Sequence, residues 1–192
     1  MKKPFGIRAL ASGAFALITL MGLAACSTTT EPSESSGANM ADVMFVQMMI
    51  PHHEGAIEMS DVVLAKSGVD PAVVELAEQI KAAQGPEIEQ MEAWLDDWGM
   101  PQMNDGMVGM DHGGLDDMAG MTEEDMQALE QASAADAGDL FLEQMIVHHE
   151  GAIEMAQEVL DDGDHPGVRQ LAESIITSQA VEIELMRSML NS

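Results

Sequence analysis

The stretch MMIPHHEGAIEM, Met48 to Met59, occurs twice in this chain, and its second copy reads QMIVHHEGAIEM, Gln144 to Met155. Between Phe45–Leu64 and Phe141–Leu160, 13 of 20 positions are identical, with His-His-Glu-Gly-Ala-Ile-Glu-Met unbroken. One residue out of register the likeness resumes, as DPAVVELAEQI…QGPEIEQM and HPGVRQLAESI…QAVEIELM. An internal repeat constrains a fold before local propensity does, because one unit must pack on a copy of itself. Each unit holds two patterns of helical period, which reads as a helical hairpin. Two hairpins make an all-α four-helix bundle.

Winding the first copy at about 100° per residue, with His52 at the origin, sets Phe45, Met49, Ala56, Met59 and Val63 around that histidine. Val46, Ile50, Ile57, Ser60 and Leu64 share the adjoining sector with His53. Glu54 and Glu58 fall on the opposite, solvated side. Both histidines therefore belong to a broad apolar arc, and His148 and His149 repeat the arrangement with Glu150 and Glu154 outside. The second helix of each unit has polar residues on its own apolar stripe. Gln84 sits among Val73, Ala77, Ile80, Ile88, Met91 and Leu95, with Glu87 one turn on, and Gln179, Glu182 and Met186 repeat the placement. A buried Gln or Glu is costly without a partner, and the inward histidines are the natural ones.

The chain's start has a different character. Lys2, Lys3 and Arg8 precede an apolar run from Ala9 to Gly22, as in a signal for export. Leu23-Ala24-Ala25-Cys26 resembles a bacterial lipobox, which implies that Cys26, the single cysteine, becomes a lipidated N-terminus. The expected organisation is a signal peptide at 1–25, a flexible tether at 26–40 and a duplicated domain at 41–192. Within that domain, repeat one spans 42–98, a Met-rich connection 99–135 and repeat two 136–190. Helices are expected at about Asp42–Lys66 and Asp70–Trp98, then a short one after Thr122, then about Asp136–Leu160, and from His165-Pro166 to the C-terminus. Pro51 and Gly85-Pro86 are expected to bend or loosen their helices.

All 34 acids lie beyond the signal, where only Lys66, Lys81, Arg169 and Arg187 are basic. That balance excludes nucleic acid as a partner. It suits an exported, soluble surface that concentrates cations.

The residues that carry chemistry are imidazoles and thioethers. Met49 and Met59 flank His52 and His53, and Met145 and Met155 flank His148 and His149. Of 19 methionines, seven lie between Met100 and Met126, and Met100, Met103, Met107 and Met110 are spaced Met-x2-Met-x3-Met-x2-Met with His112 beside them. Imidazole with thioether favours soft or borderline metals, Cu(I) first and Ag(I) second. A thioether also resists the oxidation that removes a free thiol outside the cytoplasm. The competing reading treats Met49, Met59, Met91 and Met186 as gap-fillers in a helical core, the loop methionines as part of a disordered linker, and the histidines as a structural polar layer bonded to Gln84, Glu87, Gln179 or Glu182.

The pattern Met-Ile-x-His-His-x-Gly-Ala-Ile-x-Met, followed by Leu-Ala-x-x-Ile…Gln-x-x-Glu-Ile-x-x-Met, resembles the exported bacterial family called domain of unknown function 305. The resemblance covers about Asp42 to Leu190. It implies a ferritin-like four-helix bundle and, for some members, extracytoplasmic copper binding or tolerance. Carried over by position, it points to His52, His53, Met49 and Met59 and to His148, His149, Met145 and Met155. One departure is Gln144, which stands where the first copy has Met48.

The resulting expectation is an exported lipoprotein that binds copper and buffers it, sequesters it or passes it to an accepting protein, held to the membrane through its lipid alone. A homo-oligomer is a further candidate partner. Two alternatives stand beside it. A ligand-free structural or partner-binding lipoprotein needs no metal. A di-iron oxidase needs Glu-x-x-His pairs, which this chain lacks. No Ser or Cys nucleophile accompanies the histidines, so no enzyme activity is expected.

Overall fold

The computed structural model describes residues 37–102 and 121–192. They form five helices: α1 Met40–Leu64, α2 Pro71–Trp98, α3 Glu123–Gln131, α4 Ala134–Asp162 and α5 Pro166–Leu190. The fold is all-α. The α1–α2 and α4–α5 hairpins are the two repeats, α1 packs on α4, and short α3 packs against both.

Helix ends follow capping chemistry closely. Asn39 accepts from the Asp42 N–H at 3.1 Å while Asp42 Oδ2 accepts from the Asn39 N–H at 2.8 Å, a reciprocal capping box. Thr122 and Asp125 form a second box at the start of α3. Asp70 with Pro71 opens α2 as expected, and Gly99 closes it at φ +65°, where a side chain would be strained. Two starts differ from expectation by two residues. Asp42 and Asp136 lie at the third helical position, each facing a cap one turn earlier, Asn39 and Ser133. Pro51 and Pro86 do not interrupt their helices, and Pro51 lies on the exposed side of α1.

The buried interior is divided along the bundle. One apolar cluster joins Met59, Val63, Leu76, Ile80, Leu129, Phe141, Met145 and Met186. The other joins Phe45, Val46, Met49, Met91, Leu95, Val159, Leu171 and Ile175. Each fully buried aliphatic or aromatic side chain here contributes about 1.5–3 kcal/mol relative to exposure. Because the repeats run antiparallel, the first half of α1 and the second half of α4 serve one cluster, and their other halves serve the second. Residues 52–53 and 148–149 fall at the changeover. A polar layer separates the two clusters there.

Candidate metal centre

That layer consists of His52, His53, His148, His149, Gln84 and Gln179, every one at most 3% exposed. Helical period explains why the histidines point inward, as their positions in the apolar arc require. Their surroundings then divide them into two kinds.

The second histidine of each pair is held by its own hairpin. His53 Nε2 lies 2.8 Å from Glu87 Oε2, and His149 Nε2 lies 2.6 Å from Glu182 Oε2. Each carboxylate is 21% exposed, so it faces water on one side and the buried imidazole on the other. A carboxylate can only accept, so it fixes the ring proton on Nε2 and leaves the lone pair on Nδ1. Both Nδ1 atoms are buried without a partner.

The first histidines meet across the repeats. The rings of His52 and His148 stand 3.7 Å apart, centre to centre, tilted by 42°. All four of their nitrogens are buried and unpartnered. Burial pushes His52 down from 6.5 to about 3, with the charge of neighbouring His53 and His149 adding to the effect. Burial also holds His148 well below 6.5, with His52 the next cause. Both rings are therefore neutral at pH 7, the form in which imidazole coordinates a metal.

The other expected site residues are placed as follows. Glu87 and Glu182 are the histidines' partners. Gln84 and Gln179 lie in the layer but bond neither histidine, and both amide atoms of Gln84 are unpartnered. Met49, Met59 and Met145 are fully buried, and Met155 is half-buried. Met59 and Met145 belong to one apolar cluster and Met49 and Met155 pack with the other, so thioethers flank the layer from both sides. Met100 is 38% exposed just beyond the end of α2. Met103, Met107, Met110, His112 and Cys26 lie outside the described residues. Among the described residues, no three His, Cys, Asp or Glu side chains converge as a cage for an ion. The donors come as pairs. The contact between His52 and His148 escaped the sequence reading, although the repeat held the signal: identical motifs on antiparallel helices bring identical residues together at the symmetry axis.

The model of the domain of unknown function 305 matches residues 42–190, nearly the whole duplicated region. The chain belongs to that family. Among solved structures, a fragment of a family member from Deinococcus radiodurans is 34% identical, covers 80% of this chain and 97% of its own, and superposes with a TM-score of 0.71. A family member from Streptomyces coelicolor, described as a candidate secreted protein, is 32% identical, with coverage of 79% and 91% and a TM-score of 0.67. The protein CopM has been solved in a Cu(I)-bound form, which is 30% identical, covers 78% of this chain and 95% of its own, and gives a TM-score of 0.61. CopM has also been solved with Cu(II), with Ag and in the apo form. No curated protein matches the chain.

Proposed function

We propose that this protein is an extracytoplasmic copper-binding lipoprotein that buffers, sequesters or hands on Cu(I). The observation that carries the reading is the histidine layer. Each consecutive pair, His52–His53 and His148–His149, holds two buried Nδ1 atoms without partners, on rings 6.4 and 6.3 Å apart between centres. A structural layer would have those atoms bonded, because a buried orphaned nitrogen is destabilising. Cu(I) accepts low coordination by neutral imidazole and thioether, and the glutamates orient the second ring of each pair, as partners of metal-bound histidines commonly do. The Cu(I)-bound and Ag-bound structures of CopM, on the same fold, support a soft monovalent ion.

Around this layer, Met49, Met59, Met145 and Met155 provide thioethers, and Met100, Met103, Met107 and Met110 with His112 form a capture segment for Cu(I), or for Ag(I) in its place. Cys26 carries the lipid that ties the domain to the outer face of the cell membrane, or to the periplasmic side where an outer membrane exists. The candidate secreted relative supports export. Among the described residues no helix is long and apolar enough to cross a membrane, so the lipid is the proposed anchor. The chain is a carrier and catalyses nothing. Its partners are the metal ion and a copper-accepting protein or a second copy of itself.

The test is a Cu(I) titration of the domain with X-ray absorption to count ligands. Nitrogen ligation from imidazole, joined by sulfur, is the expected result. Iron uptake with oxidase turnover would favour the di-iron alternative, and no uptake would leave a ligand-free structural lipoprotein.

A further inference from the structure

The glycine of the His-His-Glu-Gly motif sits in the interior of α1 and again of α4, where glycine costs a helix stability relative to alanine. Backbone strain does not require it, since neither position has positive φ among the described glycines. Steric exclusion does not require it either. A Cβ on Gly55 would lie 3.5 Å from His148 Nε2, and one on Gly151 would lie 3.6 Å from His52 Nε2, both ordinary contact distances. No other packed side chain comes within 4 Å of either point. By contrast, the Cβ of a residue replacing Gly138 would meet the carbons of Val73 and Val69, as in normal core packing.

Both motif glycines are partly exposed, while the nitrogen each one faces is buried and unpartnered. At each glycine no side chain of its own helix stands over the other repeat's first histidine, and a single methyl would be in contact with that ring nitrogen. We propose that Gly55 and Gly151 are the two ports of the histidine layer, each leaving the Nε2 side of His148 or His52 covered by helix backbone without a side chain, the thinnest cover an incoming cuprous ion would have to pass. This rests on the Cu(I) reading above and adds to it the route by which the ion arrives. It also explains why the motif works as a doubled unit: the glycine of one copy serves the histidine of the other.

The experiment delivers Cu(I) from a weak colorimetric chelator to the mature protein and follows transfer by stopped flow. Gly55→Ala/Gly151→Ala should load more slowly by about tenfold or more, with a thermal midpoint at or above that of the wild type. Gly85→Ala is the control, because a Cβ there meets nothing within 4 Å. It should raise the midpoint similarly and load at the wild-type rate. Wild-type loading by the double variant would overturn the proposal. So would a lowered midpoint in Gly55→Ala and Gly151→Ala taken singly, since the glycines would then serve packing. If the wild type takes up no Cu(I), the metal reading itself fails and the port falls with it.

Discussion

Asp42, at one end of the bundle, is as fully buried as His53 in its middle, but the two are treated differently by their surroundings. Asp42 Oδ2 accepts the backbone N–H groups of Asn39 at 2.8 Å and of Asp164 and His165 at 3.1 Å, tying the start of α1 to the α4–α5 turn. Asn39 adds a bond from its side chain to the Asp162 carbonyl at 2.7 Å. Only the other oxygen of Asp42 is left over, beside Gly163. In the histidine layer the balance is reversed: two nitrogens are bonded to glutamates and six are not. The first arrangement is what scaffolding looks like, since burial is offset by bonds within the chain. The second leaves bonding capacity over, and that surplus is what the proposed Cu(I) would take up.

Mutation should separate the two regions, and Asp42 should show the largest effect on stability. Asp42→Ala strands three partly buried N–H groups and removes the return half of the capping box, so a loss of about 3 kcal/mol or more is expected in urea unfolding. Its Cu(I) affinity should stay at the wild-type value. A variant that keeps its stability and loses copper would reverse the assignment of the two regions.

Acid should act through the layer. His52, at about 3 when folded, and His148, also held low, refuse a proton that the unfolded chain accepts near 6.5. Their contribution to stability is complete above about pH 6.5 and is lost as pH falls below it, down to about 3 for His52, by up to about 1.4 kcal/mol per pH unit for each ring. Urea midpoints in metal-free protein at stepped pH measure this. The slope should shrink in His148→Phe, and an unchanged slope would mean that the carboxylates control it.

Smaller effects should sharpen the picture within the layer. His53→Ala and His149→Ala should each weaken Cu(I) binding strongly, whereas Glu87→Gln, which keeps a hydrogen-bonding oxygen, should weaken it by only about tenfold. Competition against a chelator reads both. Equal losses would make the charge of the glutamate, and not the orientation of the ring, the important factor. The smallest effect on folding belongs to Met100, Met103, Met107 and Met110. Changing all four to Leu should lower the number of Cu(I) bound and leave the thermal midpoint nearly unchanged, and a sharp fall would identify them as core residues.

Local pattern made much of this legible. The repeat and the helical period placed four inward histidines and two hairpins, because both depend on residues close in sequence. Asp42 and Asp136 were read as helix starts because the Asp of such a cap faces back toward a residue one turn earlier, and Asn39 and Ser133 were less conspicuous. Two features depended on docking that periodicity cannot supply. The choice of Glu87 and Glu182 over Gln84 and Gln179 depends on how the two helices of each hairpin pack together. The meeting of His52 with His148 reflects how α1 crosses α4. The flanking methionines lie in or against the apolar clusters on either side of the layer, a placement that ordinary core residues share, and only ligand chemistry distinguishes the roles.

The most direct test is the thermal unfolding of the wild type and of His53→Ala/His149→Ala, each with and without saturating Cu(I). An ion bound only by the folded state stabilises it by about 2.7 kcal/mol at a hundredfold excess over its dissociation constant, so the wild-type midpoint should rise. The double variant should be nearly unmoved by the metal. A wild-type midpoint unchanged by Cu(I), together with a double variant destabilised in its absence, would show the histidine layer to be scaffolding.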